Sequence, residues 1–186
     1  MTHIVYDILD PSMDERLKSM EKMIMSIFIA MTLFMSPANA DELVLSTNIK
    51  VEYPSPVLIG HIGGSLVVKF KDWSFSHENL DPKTFYHRID LTGIENEFIK
   101  SIFNRKHKSN LPEWLINISA KISEGMGNDP HSVQSLKLGK AEIYAGYNSK
   151  MEQGQVFILD DLTIHKIAMS GSKEKFTLMV KNIMER

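Results

Sequence analysis

The residues whose chemistry could support a reaction are one adjacent acidic pair and several scattered histidines. Asp160 and Asp161 could form half of a calcium site or of an acid–base pair. Acidic pairs in hairpin turns are more often turn residues, because aspartate favours that backbone geometry. No two histidines beyond position 40 have the i, i+4 spacing that places two imidazole ligands on one helix face. Scattered surface histidines are therefore favoured over a zinc site formed by distant ones, and we predict no metal site and no cofactor. These histidines are His61, His77, His87, His107, His131 and His165.

Catalytic sequence motifs are missing from the chain. It contains no H-E-x-x-H motif, no P-loop, no G-x-G-x-x-G opening a helix and no G-x-S-x-G elbow. The absence of cysteine excludes thiolate zinc sites and cysteine nucleophiles. The net charge of −2 gives no basic surface for nucleic acid. We therefore predict a protein that is not an enzyme and has no nucleic-acid partner.

One polar segment with two large aromatic side chains is the predicted contact surface. Trp73 and Phe75 lie two residues apart, so in a strand they would share one face, either as core or as an exposed anchor for a partner. The surrounding polar residues, including His77 and Glu78, keep the second interpretation open. The segment 72–79 is interpreted as a strand end or loop, and Trp73, Phe75, His77 and Glu78 are predicted to bind a partner.

An uncharged run of 13 residues, 23–35, indicates export. It follows Lys22 and is followed by Ala38-Asn39-Ala40, which together match the positive, apolar and cleavage-site parts of a secretory signal peptide. A bilayer-spanning helix needs about 20 apolar residues, so the run is too short for a stable span. The alternative is a buried amphipathic helix. We predict cleavage after Ala40 and a periplasmic location.

The polar, acidic stretch 1–19 does not suit the start of a signal peptide. Met20 is therefore the favoured start, with Met1 as the alternative, and 1–19 would be an upstream segment that is not part of the protein. The predicted organisation is then a signal peptide over 20–40 and a single globular domain over 41–186.

Hydrophobic periodicity in the domain indicates strands, then helices, then strands and a last helix. Alternation at period two predicts early strands around 47–53 and 66–70 and later strands around 141–146, 155–159 and 162–167. Spacing near 3.6 predicts mid-chain helices over about 95–106 and from Pro112 to Gly125.

The C-terminal segment has the spacing of an amphipathic helix. It starts at Ser170-Gly171-Ser172, and one buried face is predicted to contain Phe176, Met179, Val180, Ile183 and Met184. Hairpin connections in the last third favour an antiparallel sheet. The fold class is therefore α+β, a mainly antiparallel sheet with helices packed on it, including the mid-chain helical segment and this C-terminal helix.

Two stretches carry a resemblance to a known family. The early Ile49-Lys50-Val51-Glu52-Tyr53-Pro54, together with the later strands and the Phe-containing final helix, resembles the PsbP/DcrB-type sandwich. The helical segment 81–125 departs from the simplest form of that fold. The resemblance implies a small exported binding or accessory domain without enzymatic activity. The chain is also similar to periplasmic immunity proteins of type VI secretion systems, some of which resemble this sandwich.

The leading functional hypothesis is a periplasmic immunity protein that binds and inhibits a cognate cell-envelope toxin. Such a protein occupies the toxin's active cleft and needs no catalytic motif of its own. The alternative is an envelope accessory or ligand-binding protein of PsbP/DcrB type without a toxin partner. A third hypothesis is a hydrolase or metal-dependent enzyme that uses Asp160, Asp161 and a histidine.

Overall fold

The computed structural model describes residues 40–84, 89–127, 133–161 and 163–186. Residues 1–39, which contain the upstream segment and nearly all of the predicted signal peptide, lie outside this part of the chain, as do His87 and His131. Ala40 is described, and it begins the first strand as the antiparallel partner of Pro54. Residues 40–186 form one compact unit.

Antiparallel pairing forms two sheets. The larger sheet has seven described strands, which are β3 (Leu58–Ile62), β4 (Ser65–Lys69), β5 (Ser74–Leu80), β6 (Val133–Leu138), β7 (Ala141–Asn148), β8 (Gln153–Asp160) and β9 (Thr163–Ser170). Their order across the sheet is β3-β4-β5-β9-β8-β7-β6. The smaller sheet, in the order β1-β2-β10, contains β1 (Ala40–Val44), β2 (Ile49–Pro54) and β10 (Ile183–Glu185).

The described helices are α1 (Glu95–Phe103), a 3₁₀ helix (Arg105–Asn110), α2 (Glu113–Gly125) and α3 (Lys173–Lys181). Ser172 caps α3, since its hydroxyl accepts a hydrogen bond from the backbone N–H of Lys175. No helix among the described residues combines the length and apolar character needed to cross a bilayer. The architecture confirms the predicted α+β class with helices packed on an antiparallel sheet.

One side of the seven-stranded sheet, here called the sandwich face, packs against β2 and α3. Its buried side chains include Ile143, Ile158 and Ile167, which belong to one core cluster with Ile49 of β2 and Phe176 of α3. Alternate residues of β2 are buried, as the period-two pattern predicts. This layer is the main hydrophobic core of the domain.

The opposite side, here called the groove face, carries α1 and α2 over part of its area. Tyr144, Phe157 and Ile164 form a second cluster there with Ile99 of α1. Lys100 of α1 also donates a hydrogen bond of 3.0 Å to a carboxylate on β7. The helices therefore cover one end of the groove face and leave the other end to solvent.

Two sequence predictions need correction, and one strand was not predicted. The segment 72–79 was predicted as a strand end or loop, but Ser74–Leu80 forms β5 in the interior of the sheet, between β4 and β9. The last helix was predicted to include Ile183 and Met184, but it ends at Lys181 and both residues belong to β10. Ile183 is buried as predicted, because pairing with Val51 of β2 places it in the same core. Met184, which was predicted on the same buried face, is only half-buried. Residues 40–44 were not predicted to be a strand, and they form β1.

Candidate binding groove

A cavity of about 520 Å³ lies on the groove face, between the sheet and the helices. Its floor comes from β5, β8 and β9, and its wall from α1 and from the end of α2. This volume falls within the range of small-ligand sites, about 300–1,000 Å³. Both ionic and apolar side chains line the cavity.

The ionic part of the cavity is a cross-strand pair. Glu78 of β5 lies directly opposite Lys166 of β9, and the Lys166 ammonium donates to the Glu78 carboxylate at 2.8 Å. The Ser65 hydroxyl donates to the other carboxylate oxygen at 3.3 Å. The hydrogen bond from Lys166 lowers the pKa of Glu78, against an opposing effect of burial. Glu78 is therefore ionised at neutral pH and suits binding better than proton transfer.

The apolar part of the cavity lies toward the helices. Its described lining includes Leu80 and Phe157 from the sheet, Ile102 from α1, and Ile122 and Met126 from the end of α2. Such an arrangement suits a group with an apolar body and a polar end, because the apolar wall and the charged pair line one space.

A smaller depression of about 350 Å³ adjoins the cavity at Gln155, which lines both. Its floor lies on β5, β9 and β8, where Ser76, Ala168 and Gln155 are directly opposite one another across three strands. Ser74, Gln153 and Ser170 continue it. The cavity and this depression together are here called the groove. Part of its floor consists of short side chains on paired strands, such as Ser76 and Ala168, and the strand pairing fixes the backbone beneath them.

The structure separates the four residues predicted to bind a partner. Trp73 and Phe75 are buried in the main core, with 8% and 1% exposure. The Trp73 ring stacks on Phe70 at a centroid distance of 3.9 Å, and Phe75 contacts Tyr53 edge-on. Of the two interpretations left open for these aromatic residues, their burial agrees with the core rather than with an exposed anchor. Partner binding by them stays a prediction.

His77 and Glu78 are half-buried on opposite faces of β5. Only Glu78 lines the groove; His77 faces the sandwich side and lies beside His165 of β9, with 3.2 Å between His77 Nε2 and His165 Nδ1. Partner binding by these two residues stays a prediction.

The histidine pair is a buried polar site inside the sandwich. His165 is 1% exposed, and its Nε2 has no hydrogen-bond partner among the described residues. Burial, reinforced by His165, lowers the pKa of His77 to about 4, and burial also lowers the pKa of His165. Both imidazoles are therefore neutral at pH 7.

Asp160 and Asp161 lie at the turn between β8 and β9. The Asp160 carboxylate accepts a hydrogen bond from the Asp161 backbone N–H, and Asp161 forms an exposed ion pair with Lys140 at 3.4 Å. Within the described part of the chain, no group of three or more histidine or acidic side chains is arranged to hold a metal ion. These contacts are those of turn residues.

Sequence reasoning did not identify Lys166, Gln155 or His165 as site residues. Each lies in a strand that was predicted, but its face and its neighbours depend on which strands are adjacent. The one available signal was the alternation of polar residues within apolar strands. Glu78 and Lys166 are 88 positions apart, and they become neighbours only because β5 pairs with β9.

Neither a protein-family model nor a curated protein matches the chain. Among solved structures, the chain is similar to that of PsbP (CyanoP) from Synechocystis sp. PCC 6803, with 10% sequence identity and a TM-score of 0.44. The similarity covers 82% of this chain and 96% of CyanoP. At this level it concerns the fold alone and carries no argument about activity, ligand or partner. The resemblance to type VI immunity proteins stays a prediction.

Proposed function

We propose that this protein is an exported binding domain that inhibits a cognate cell-envelope toxin, that is, a periplasmic immunity protein. The observation that carries this proposal is the groove, a fixed surface on paired strands in which Glu78 and Lys166 neutralise each other. A preorganised surface binds with little loss of conformational entropy, which suits a protein that inhibits another protein by binding it.

The pairing of charges favours binding over catalysis. A general acid or base needs a pKa near the working pH. The pKa of Glu78 is lowered, and so lies further from neutral pH, because its carboxylate accepts hydrogen bonds from Lys166 and Ser65. The predicted signal peptide supports the periplasm as the place of action, and the toxin would then be one that attacks peptidoglycan or lipid.

The proposal is tested with the product of the neighbouring gene, expressed in the periplasm with and without this protein. We expect the two proteins to co-purify and this one to restore growth. Ala168→Arg places a long cation on the groove floor, beside Ser76 and Gln155, and should weaken the complex at least about tenfold, or by about 1.4 kcal/mol.

The matched control is Leu178→Arg, which adds the same charge at an exposed position of α3, on the sandwich side of the sheet. It should leave both the affinity and the protection unchanged. If the two variants weakened the complex equally, the groove would not be the contact surface. Absence of both binding and protection would reject the immunity function itself.

A second candidate function, ligand binding by an envelope accessory protein, is favoured by the apolar end of the cavity. Ile102, Ile122 and Phe157 there form a lined space of suitable size for a small molecule. Native mass spectrometry of protein purified from the periplasm would detect a retained ligand as an added mass.

Ile122→Trp should fill this space and remove that mass, because the indole takes up the volume next to Phe157. The Ala168→Arg variant, which alters the neighbouring depression, serves as its control and should retain the ligand. An added mass that survives in the Ile122→Trp protein would mean that the ligand binds elsewhere.

A further inference from the structure

The strand β3 is an outer strand of the seven-stranded sheet, and its apolar side chains face solvent. Val57 and Ile62 are each 73% exposed, Leu58 is 55% exposed and Ile59 is 53% exposed. Among the described strands, β3 pairs with β4 alone, so the backbone N–H and C=O groups of its other edge have no strand partner there. These residues, 57–62, form the patch here called the β3 edge.

The other outer strands of the two sheets carry charges. β6, at the opposite end of the large sheet, has the exposed Lys137. In the small sheet, β1 has Asp41 and Glu42, and β10 has Glu185. Charged side chains on an outer strand oppose pairing with another chain, and natural proteins use them for that purpose. The β3 edge has no Asp, Glu, Lys or Arg between Pro56 and Ser65.

We propose that the β3 edge pairs with the β3 edge of a second copy of this chain, forming a two-fold symmetric dimer with one continuous sheet. This inference goes beyond the proposed inhibitory function and does not depend on it. A second copy fits because it presents the same uncharged strand, so that the pairing brings no like charges together. A two-fold axis also satisfies antiparallel pairing, in which two identical strands run in opposite directions.

The register follows from the side chains. With Gly60 on the two-fold axis, Leu58 of each copy lies opposite Ile62 of the other. Residues 58, 60 and 62 share one face of a strand, so both pairs lie on the same face. Two exposed apolar contacts are thus formed per dimer around a residue that has no side chain to obstruct the approach.

The dimer should be concentration-dependent. A stable interface buries about 800 Å² on each partner, and a strand of five residues is only about 17 Å long. The first experiment is sedimentation equilibrium of the purified mature protein from micromolar to submillimolar concentration. The expected result is a mass that rises from one to two chains. The alternate backbone amides of 58–62 that point away from β4 should be protected from hydrogen exchange only at high concentration, since the others are already bonded to β4.

Charge variants test the register. Leu58→Lys with Ile62→Lys places like charges opposite each other in both pairs and should raise the dimer dissociation constant at least about tenfold. Leu58→Glu with Ile62→Lys places opposite charges there and should restore dimerisation. All these positions are exposed, so the fold should be retained, and circular dichroism checks this. Leu178→Lys, at an exposed apolar position of α3, should leave the mass unchanged.

A protein that stays monomeric at every concentration would overturn the proposal. So would amides of the β3 edge that become protected only when the toxin partner is added, since a strand of another protein would then occupy the edge. Failure of the opposite-charge variant to dimerise while the wild type does would also overturn it, because the pairing would have another register or another surface.

Discussion

Replacing Phe176 with alanine should lower the free energy of unfolding by about 3–5 kcal/mol. Phe176 is 1% exposed and is the largest buried side chain of α3. Its ring packs on Gly154 of β8 and lies 5.3 Å from the ring of Tyr147 on β7. Since α3 and β2 together cover the sandwich face, this ring is central to the main core. This loss is a large fraction of the free energy of unfolding of a natural domain, which is about 5–15 kcal/mol.

The contact also requires a glycine. A Cβ at position 154 would collide with the Phe176 ring, so Gly154→Ala should destabilise the protein by about 1–3 kcal/mol through overpacking. The double variant should lose less than the sum of the two single losses, because alanine at 176 removes the collision. Leu178→Ala, at an exposed position of the same helix, should change stability by no more than about 0.5 kcal/mol. Urea denaturation measures all four; additive losses in the double variant would contradict this packing.

The spacing of α3 shows what a local pattern can determine. Phe176, Met179 and Val180 are buried on one helix face, as predicted. Ile183 continues the same spacing and is also buried, but as part of β10. A hydrophobic pattern indicates most of these core side chains, although Met184 is only half-buried. The end of the helix at Lys181 depends on the pairing of the next residues with β2.

The groove was beyond prediction because it is built from distant segments. Glu78 and Lys166 become neighbours only through the order β5-β9-β8, and neither residue alone indicates an adjacent strand. The segment around Trp73 shows the converse difficulty. Its polar neighbours suggested exposure, but Ser74 and Ser76 belong to the groove face while Phe75 belongs to the core. Alternation along one strand gives two faces but does not say which one meets another layer.

The buried histidine pair should make the protein less stable in mild acid. Burial and the adjacent His165 lower the pKa of His77 from its ordinary 6.5 to about 4 in the folded state. Between these values the unfolded chain binds more protons than the folded one, so stability is fully present above pH 6.5 and falls as the pH decreases. At about 1.36 kcal/mol per pKa unit, His77 accounts for a loss of about 3 kcal/mol at most, and the lowered pKa of His165 acts in the same direction.

The geometry of the pair gives the physical reason. At 3.2 Å, one of the two facing nitrogens donates to the other, so one proton satisfies the contact. A second proton between the rings would place two N–H groups against each other. The nearby carboxylates oppose the shifts, since Glu78 raises the pKa of His77 and Asp160 raises that of His165. Burial is nevertheless the larger effect for both histidines.

Urea denaturation between pH 7 and pH 4.5 measures the contribution of the histidines to stability separately from that of Glu78. Glu78 has a lowered pKa, so its own contribution is lost only below its ordinary value of 4.5. Replacing both histidines, His77→Thr with His165→Val, should make stability nearly independent of pH in this range relative to the wild type. It should also remove the unpartnered His165 Nε2, whose burial is costly.

The control is His61→Thr, which removes an exposed imidazole from β3 and should leave the wild-type slope intact. A flat profile in the wild type would mean that the folded protein takes up these protons without cost. A slope that persists in the double variant would assign the acid sensitivity to other groups. If both results agree with expectation, the cost of keeping these two buried imidazoles neutral below pH 6.5 accounts for the loss of stability in mild acid.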